Sequence, residues 1–144
     1  MKADKSMLAI LIGFAAGPVF ETFTQIMKHF GFTTLSSLEA ISLMWLREPS
    51  WTLGILGSIG LAAWVSLAMY HSVKIWGTDY FPLKAMLIGM TSESLVFNIF
   101  GILGGNEPLV QSVSGNYVHA IGAALSGLVV GFLMKKFLFD KTFI

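Results

Sequence analysis

The residues best equipped for chemistry stand in an unfavourable place. Thr91-Ser92-Glu93-Ser94, followed by Asn98, falls in the middle of the apolar run 82–103. A carboxylate at the midpoint of a bilayer-length segment costs roughly 3 kcal/mol on insertion scales, so other groups must compensate it. Two further spans carry groups of the same kind. Glu21 and Gln25 lie on the first, with Pro18 one turn away, and His119 lies on the last. At about 1.5 Å per residue, Glu93 falls near the midplane. Glu21 falls about 5 Å, Asn98 about 7 Å and His119 about 10 Å towards one face. Three helices thus contribute ionisable or amide groups to one half of a bundle, while the other half offers mainly Ser66 and, at its edge, His71.

That arrangement suits a hydrated pocket in which Glu93 and Glu21 bind a proton or a cation and His119 serves as relay or gate. Two carboxylates in a low dielectric cannot both stay charged without compensation, which favours keeping a proton on one. Gln25, Asn98, Thr91 and Ser94 complete the polar set. Thr91, Ser94 and Asn98 share a face of the third span, and Glu93 points away from it. The plainer reading is interhelical adhesion, with a protonated Glu bonded to Asn, Ser or His at about 0.6 kcal/mol per pair. No metal site is expected, because the three histidines lack ligand spacing. No cofactor is expected either, since neither a P-loop nor a dinucleotide pattern occurs.

The elements that must position these groups are legible in composition. Of 144 residues, 55% are hydrophobic and 12% charged, about half the charged share of a soluble domain. The polar side chains are too few to coat a water-facing globule, so the bilayer is the expected surrounding. The expected fold is an all-α integral membrane four-helix bundle, one transmembrane domain over 1–144. Its spans fall at about 7–27, 51–75, 82–103 and 116–134, each near the ~20 residues a bilayer requires. The first run follows Lys2 and Lys5 like a signal peptide, but it is too long and carries Glu21, so it reads as a retained helix. The net charge of +1 gives no reason to expect nucleic acid.

Between the first two spans, about 35–47 reads as a short interfacial amphipathic helix. Leu35, Leu38, Ile41, Trp45 and Leu46 share one face, and the run is too short to span. Ser36-Ser37-Leu38-Glu39 can supply its capping box. Glycines at four-residue spacing, Gly13 with Gly17, Gly101 with Gly105 and Gly127 with Gly131, form small faces for close helix approach. Seven of the nine Lys and Arg residues (Lys2, Lys5, Lys74, Lys84, Lys135, Lys136 and Lys141) fall on the side shared by the termini; Lys28 and Arg47 fall on the other. The positive-inside rule then places both termini in the cytoplasm.

The chain resembles the small bacterial four-span membrane proteins of the YqhR-like kind. The resemblance rests on Leu11-Ile12-Gly13-Phe14-Ala15-Ala16-Gly17, an amphipathic stretch before Pro49, Pro82-Leu83-Lys84-Ala85-Met86-Leu87-Ile88-Gly89, His119 and the glycines from Gly122 to Gly131. It implies a bacterial cytoplasmic-membrane protein and brings no activity with it.

Three functions compete. The three glycine faces offer more close-packing surface than one bundle needs. They favour a non-enzymatic homo-oligomer or an accessory subunit partnered by other membrane subunits in the bilayer. The intramembrane carboxylates favour a proton- or cation-coupled small transporter or channel. A lipid-modifying enzyme is the third reading, and it requires Glu93 and His119 to lie side by side.

Overall fold

Long apolar runs with few charges form helices in this chain, and a helix satisfies its backbone hydrogen bonds within the segment itself. The computed structural model describes residues 4–140; Lys2 and Lys141, counted above for orientation, lie outside them. Every regular element among the described residues is helical. Helix α1 spans Lys5–His29 and runs through Pro18 without ending, and Asp4 caps its first turn by accepting from the Ser6 N–H. Helix α2 is Ser37–Ser42, α3 is Trp51–Trp76 and α4 is Phe81–Phe97. Helix α4 continues as a wider π-helical turn, Asn98–Leu103. Helix α5, Val113–Met134, is capped by the Ser112 hydroxyl and also widens, over Lys135–Phe139. Four of these helices, counted with their widened ends, are long and apolar enough to cross a membrane. The turn between α3 and α4 needs φ of +67° at Gly77 and +53° at Tyr80, after which Pro82 occupies the first turn of α4.

Helix α5 is the hub. It packs along α4 and along α1, α3 packs against α1, and α3 makes little contact with α4 or α5. The α4–α5 contact depends on absent side chains. A Cβ on Gly127 would stand 2.6 Å from the Ala85 carbonyl oxygen, and one on Gly131 2.6 Å from the Pro82 Cα. Gly89 answers from α4, its missing Cβ 2.7 Å from the Ala123 carbonyl oxygen. At one end of the bundle Ala9, Ile12, Met69, Phe81, Val130 and Met134 form a closed apolar cluster. The polar residues gather at the other end.

Three glycines depart from the expected close-packing role. Gly17 is exposed, with nothing within 4 Å of the position its Cβ would take. Gly105 lies beyond the end of its span at φ +64°, where it turns the chain. Gly101 is buried against Leu109 and Val110 of the following loop, because the π turn rotates it away from neighbouring helices.

The largest departure is the segment expected to lie flat over 35–47. Its helix is only Ser37–Ser42, and it turns inward: Leu35, Ser36, Ser37, Ala40, Ile41, Ser42 and Leu43 are all buried. The capping box forms, with Glu39 N–H donating to Ser36 and the Ser36 N–H to Glu39. The reason lies in the serines. Ser37 finds polar partners on α1, so the segment need not keep its polar face in water. The helix gives way to turns after Ser42, where the Ser42 hydroxyl accepts from the Ser50 N–H and the Leu43 carbonyl accepts from the Asn106 amide.

Candidate functional site

The inserted segment brings the backbone of Leu35 to a histidine on the last helix. His119 is 1% exposed, held between the rings of Phe97, centroid 4.9 Å away, and Phe20, at 6.0 Å. Its Nε2 lies 3.1 Å from the Leu35 carbonyl oxygen. A carbonyl can only accept, so Nε2 carries a hydrogen. Its Nδ1 lies 3.5 Å from Oε1 of Glu93 and has no hydrogen-bond partner at closer range. At this distance a single proton on either residue would complete the contact, as a carboxylic O–H facing the Nδ1 lone pair or as an imidazolium N–H facing the carboxylate.

Two cavities meet at Glu93. The larger, 420 Å³, lies between α1, α2, α3, α4 and α5 where α3 and α4 make little contact. Its wall is mostly apolar, including Phe14, Ile59, Val65 and Val130, and its only ionisable side chains are Glu21 and Glu93. The smaller, 180 Å³, is bounded by Glu93, Ser94, Asn98, Gln111, Asn116 and His119. Glu93 is the residue that belongs to both walls.

Glu21 reaches the larger cavity in a different state. Its Oε1 accepts from the Gln25 amide at 2.7 Å. Its Oε2 accepts from the Ser37 hydroxyl at 2.6 Å and from the Leu38 N–H at 2.9 Å. Thr24 adds a parallel bond, accepting from the Ser37 N–H at 2.9 Å. Glu21 and Gln25 thus anchor α2, and Glu21 is the more fully satisfied of the two cavity carboxylates. Among the described residues, His119 is the one polar side chain in contact with the Glu93 carboxyl.

The expected polar face of the third span does not turn inward as a unit. Ser94 donates to the Met90 carbonyl and Asn98 to the Ser94 carbonyl, each spending its donor on its own helix. Both still border the smaller cavity. Thr91 is exposed and borders neither cavity.

Sequence reasoning missed Gln111, which stands in a loop with no spacing to single it out. It is buried; its Oε1 accepts from Thr33 at 3.1 Å and from Thr34 at 3.2 Å, while its amide nitrogen has no partner. Also missed was the Leu35 carbonyl, a backbone group that no side-chain pattern marks. At the rim, Lys28 and Glu39 form an ion pair at 2.6 Å. Burial pushes the Glu39 carboxyl up. The hydrogen bonds from Lys28 and the Ser36 N–H, with the charge of Lys28, outweigh it and hold the carboxyl below its ordinary value. No cluster of metal-ligating side chains occurs among the described residues.

Comparison with protein-family models, with curated proteins and with solved structures finds no match to this chain. The site is therefore read from its own geometry.

Proposed function

We propose that this chain is a multi-pass membrane protein, with both termini cytoplasmic, that works as a small proton-coupled carrier or channel. The observation behind this reading is the contact of His119 with Leu35 on one side and Glu93 on the other. A proton shared by two residues near the centre of a span can be given up and regained without leaving an uncompensated charge. The smaller cavity, edged by Ser94, Asn98, Gln111 and Asn116 among apolar side chains, is the proposed proton route, and the larger cavity is the compartment to which Glu93 couples it. The YqhR-like resemblance adds a bacterial cytoplasmic membrane as the setting, and no activity.

An oligomeric or accessory role is the second reading. One observation favours it: α4 turns Leu83, Leu87, Leu95 and Ile102 outward. Against it, the glycines that suggested a surplus of packing surface, Gly127 and Gly131, are engaged within the chain.

The test is proton flux. Purified protein in liposomes loaded with a pH-sensitive dye, and given a potassium-diffusion potential, should acidify or alkalinise the lumen faster than empty vesicles. Glu93→Gln should lower the rate at least about tenfold, a loss of ~1.4 kcal/mol or more at the rate-limiting barrier. A rate no different from empty vesicles, or an unchanged rate in Glu93→Gln, would overturn the proposal.

A further inference from the structure

The larger cavity has three properties that together define an occupant. It is walled by α1, α2, α3, α4 and α5 and lies where α3 and α4 make little contact. Its 420 Å³ is within the range that takes a small organic molecule. Its wall is apolar apart from a few hydroxyls and two carboxylates, and no Lys, Arg or His borders it. An anion would meet only acidic groups there. A neutral apolar molecule would leave Glu93 unanswered. A lipid-soluble cation satisfies both the wall and the acid.

Glu93 is placed to accept it. Glu21 is already occupied by Gln25, Ser37 and Leu38, whereas Glu93 has only His119 beside it, through a nitrogen that is buried and without a closer partner. That nitrogen borders the smaller cavity and not the larger one, so what the larger wall offers is Glu93 itself, an acid without a hydrogen bond among the described residues.

We infer that the larger cavity binds a lipophilic monovalent organic cation, which arrives from the bilayer between α3 and α4 and displaces the proton held by Glu93 and His119. The inference rests on the proton-sharing reading above. The exchange balances: one cation enters beside the Glu93 carboxylate, His119 is left neutral with its hydrogen on Nε2, and one proton leaves through the smaller cavity. No covalent bond between heavy atoms changes.

Tetraphenylphosphonium is the probe and tetraphenylborate, of the same shape and opposite charge, its control. Titration calorimetry of the detergent-purified full chain, in buffers of differing ionisation enthalpy, should show one proton released per phosphonium bound. Affinity should rise by up to about tenfold per pH unit, the slope of a one-for-one exchange. The borate should not bind. Glu93→Gln should abolish the proton release and weaken binding at least tenfold, and Ser58→Phe, at the cavity wall, should block the phosphonium by filling space. Size-exclusion chromatography checks that both variants remain folded. Equal binding of the two ions, phosphonium binding unchanged in Glu93→Gln, or a co-purifying phospholipid that the phosphonium cannot displace would overturn the inference. Proton flux measured without any phosphonium separates the two proposals: flux intact with no phosphonium binding defeats this one alone.

Discussion

Oε2 of Glu21 lies 2.6 Å from the hydroxyl of Ser37 and 2.9 Å from the N–H of Leu38, so a carboxylate on α1 holds the first turn of α2. This contact carries the inserted segment, and through Leu35 it carries the orientation of His119. Removing it should loosen both. Glu21→Ala is expected to destabilise the protein by about 1–2 kcal/mol in detergent, near the upper range for intramembrane polar contacts. Gln25→Ala, which removes one donor to the same carboxylate, should cost less. Reversible unfolding in sodium dodecyl sulfate mixed with a mild detergent measures both, and equal losses would show that Ser37 and Leu38 do not depend on Glu21.

The ring of His119 should be the Nε2–H form whenever it is neutral, because Leu35 offers only an acceptor. Nitrogen NMR of histidine-labelled protein distinguishes the tautomers. Glu93→Gln should change the chemical shift of Nδ1 far more than that of Nε2. A neutral Nδ1–H tautomer in the unmodified protein would contradict the proton-sharing geometry.

The Lys28–Glu39 pair gives the inserted segment a dependence on pH. Because the Glu39 carboxyl is held below its ordinary value of 4.5, its contribution to stability is complete above that value. The contribution declines as pH falls through 4.5 and is lost below the lowered value in the folded state. The protection of the Ala40 and Leu43 amides, relative to their intrinsic exchange rates at each pH, should therefore fall on acidification over this window. In Glu39→Gln that part of the loss of protection should vanish, leaving a segment less protected already at neutral pH.

Helix α5 meets α4 where only glycine fits. Gly131→Leu should force apart the Pro82 and Ala85 backbone region, at a cost of several kcal/mol, since rigid backbone cannot step aside. Gly60→Ala is the contrasting case. Nothing stands within 4 Å of its Cβ position in the middle of α3, so the change should stabilise by about 0.5–1 kcal/mol. Unfolding midpoints in the same detergent mixture compare the two, and a stabilising Gly131→Leu would refute the close approach.

Much of the architecture was readable before any coordinates. The apolar runs and their interruptions by Pro49, Gly77 and Pro82 located four long helices, since hydropathy over about twenty residues is a local property. The Ser36–Glu39 capping box was readable for the same reason: its partners are three residues apart. The gathering of polar groups at one end also followed from counting along each run. What counting could not supply was how each helix turns about its axis and where a loop goes. Thr91 and Glu93 are two residues apart, yet one is exposed and the other meets His119. The segment around α2 could lie on a membrane or enter the bundle, and its serines allow both. The choice depended on Glu21 and Thr24, more than ten residues away in the chain. Gln111 and the Leu35 carbonyl became part of the site only when that segment turned inward. Tertiary structure decided these matters because a buried polar group takes whichever partner packing brings within reach, and the spacing of residues along one helix does not record that partner.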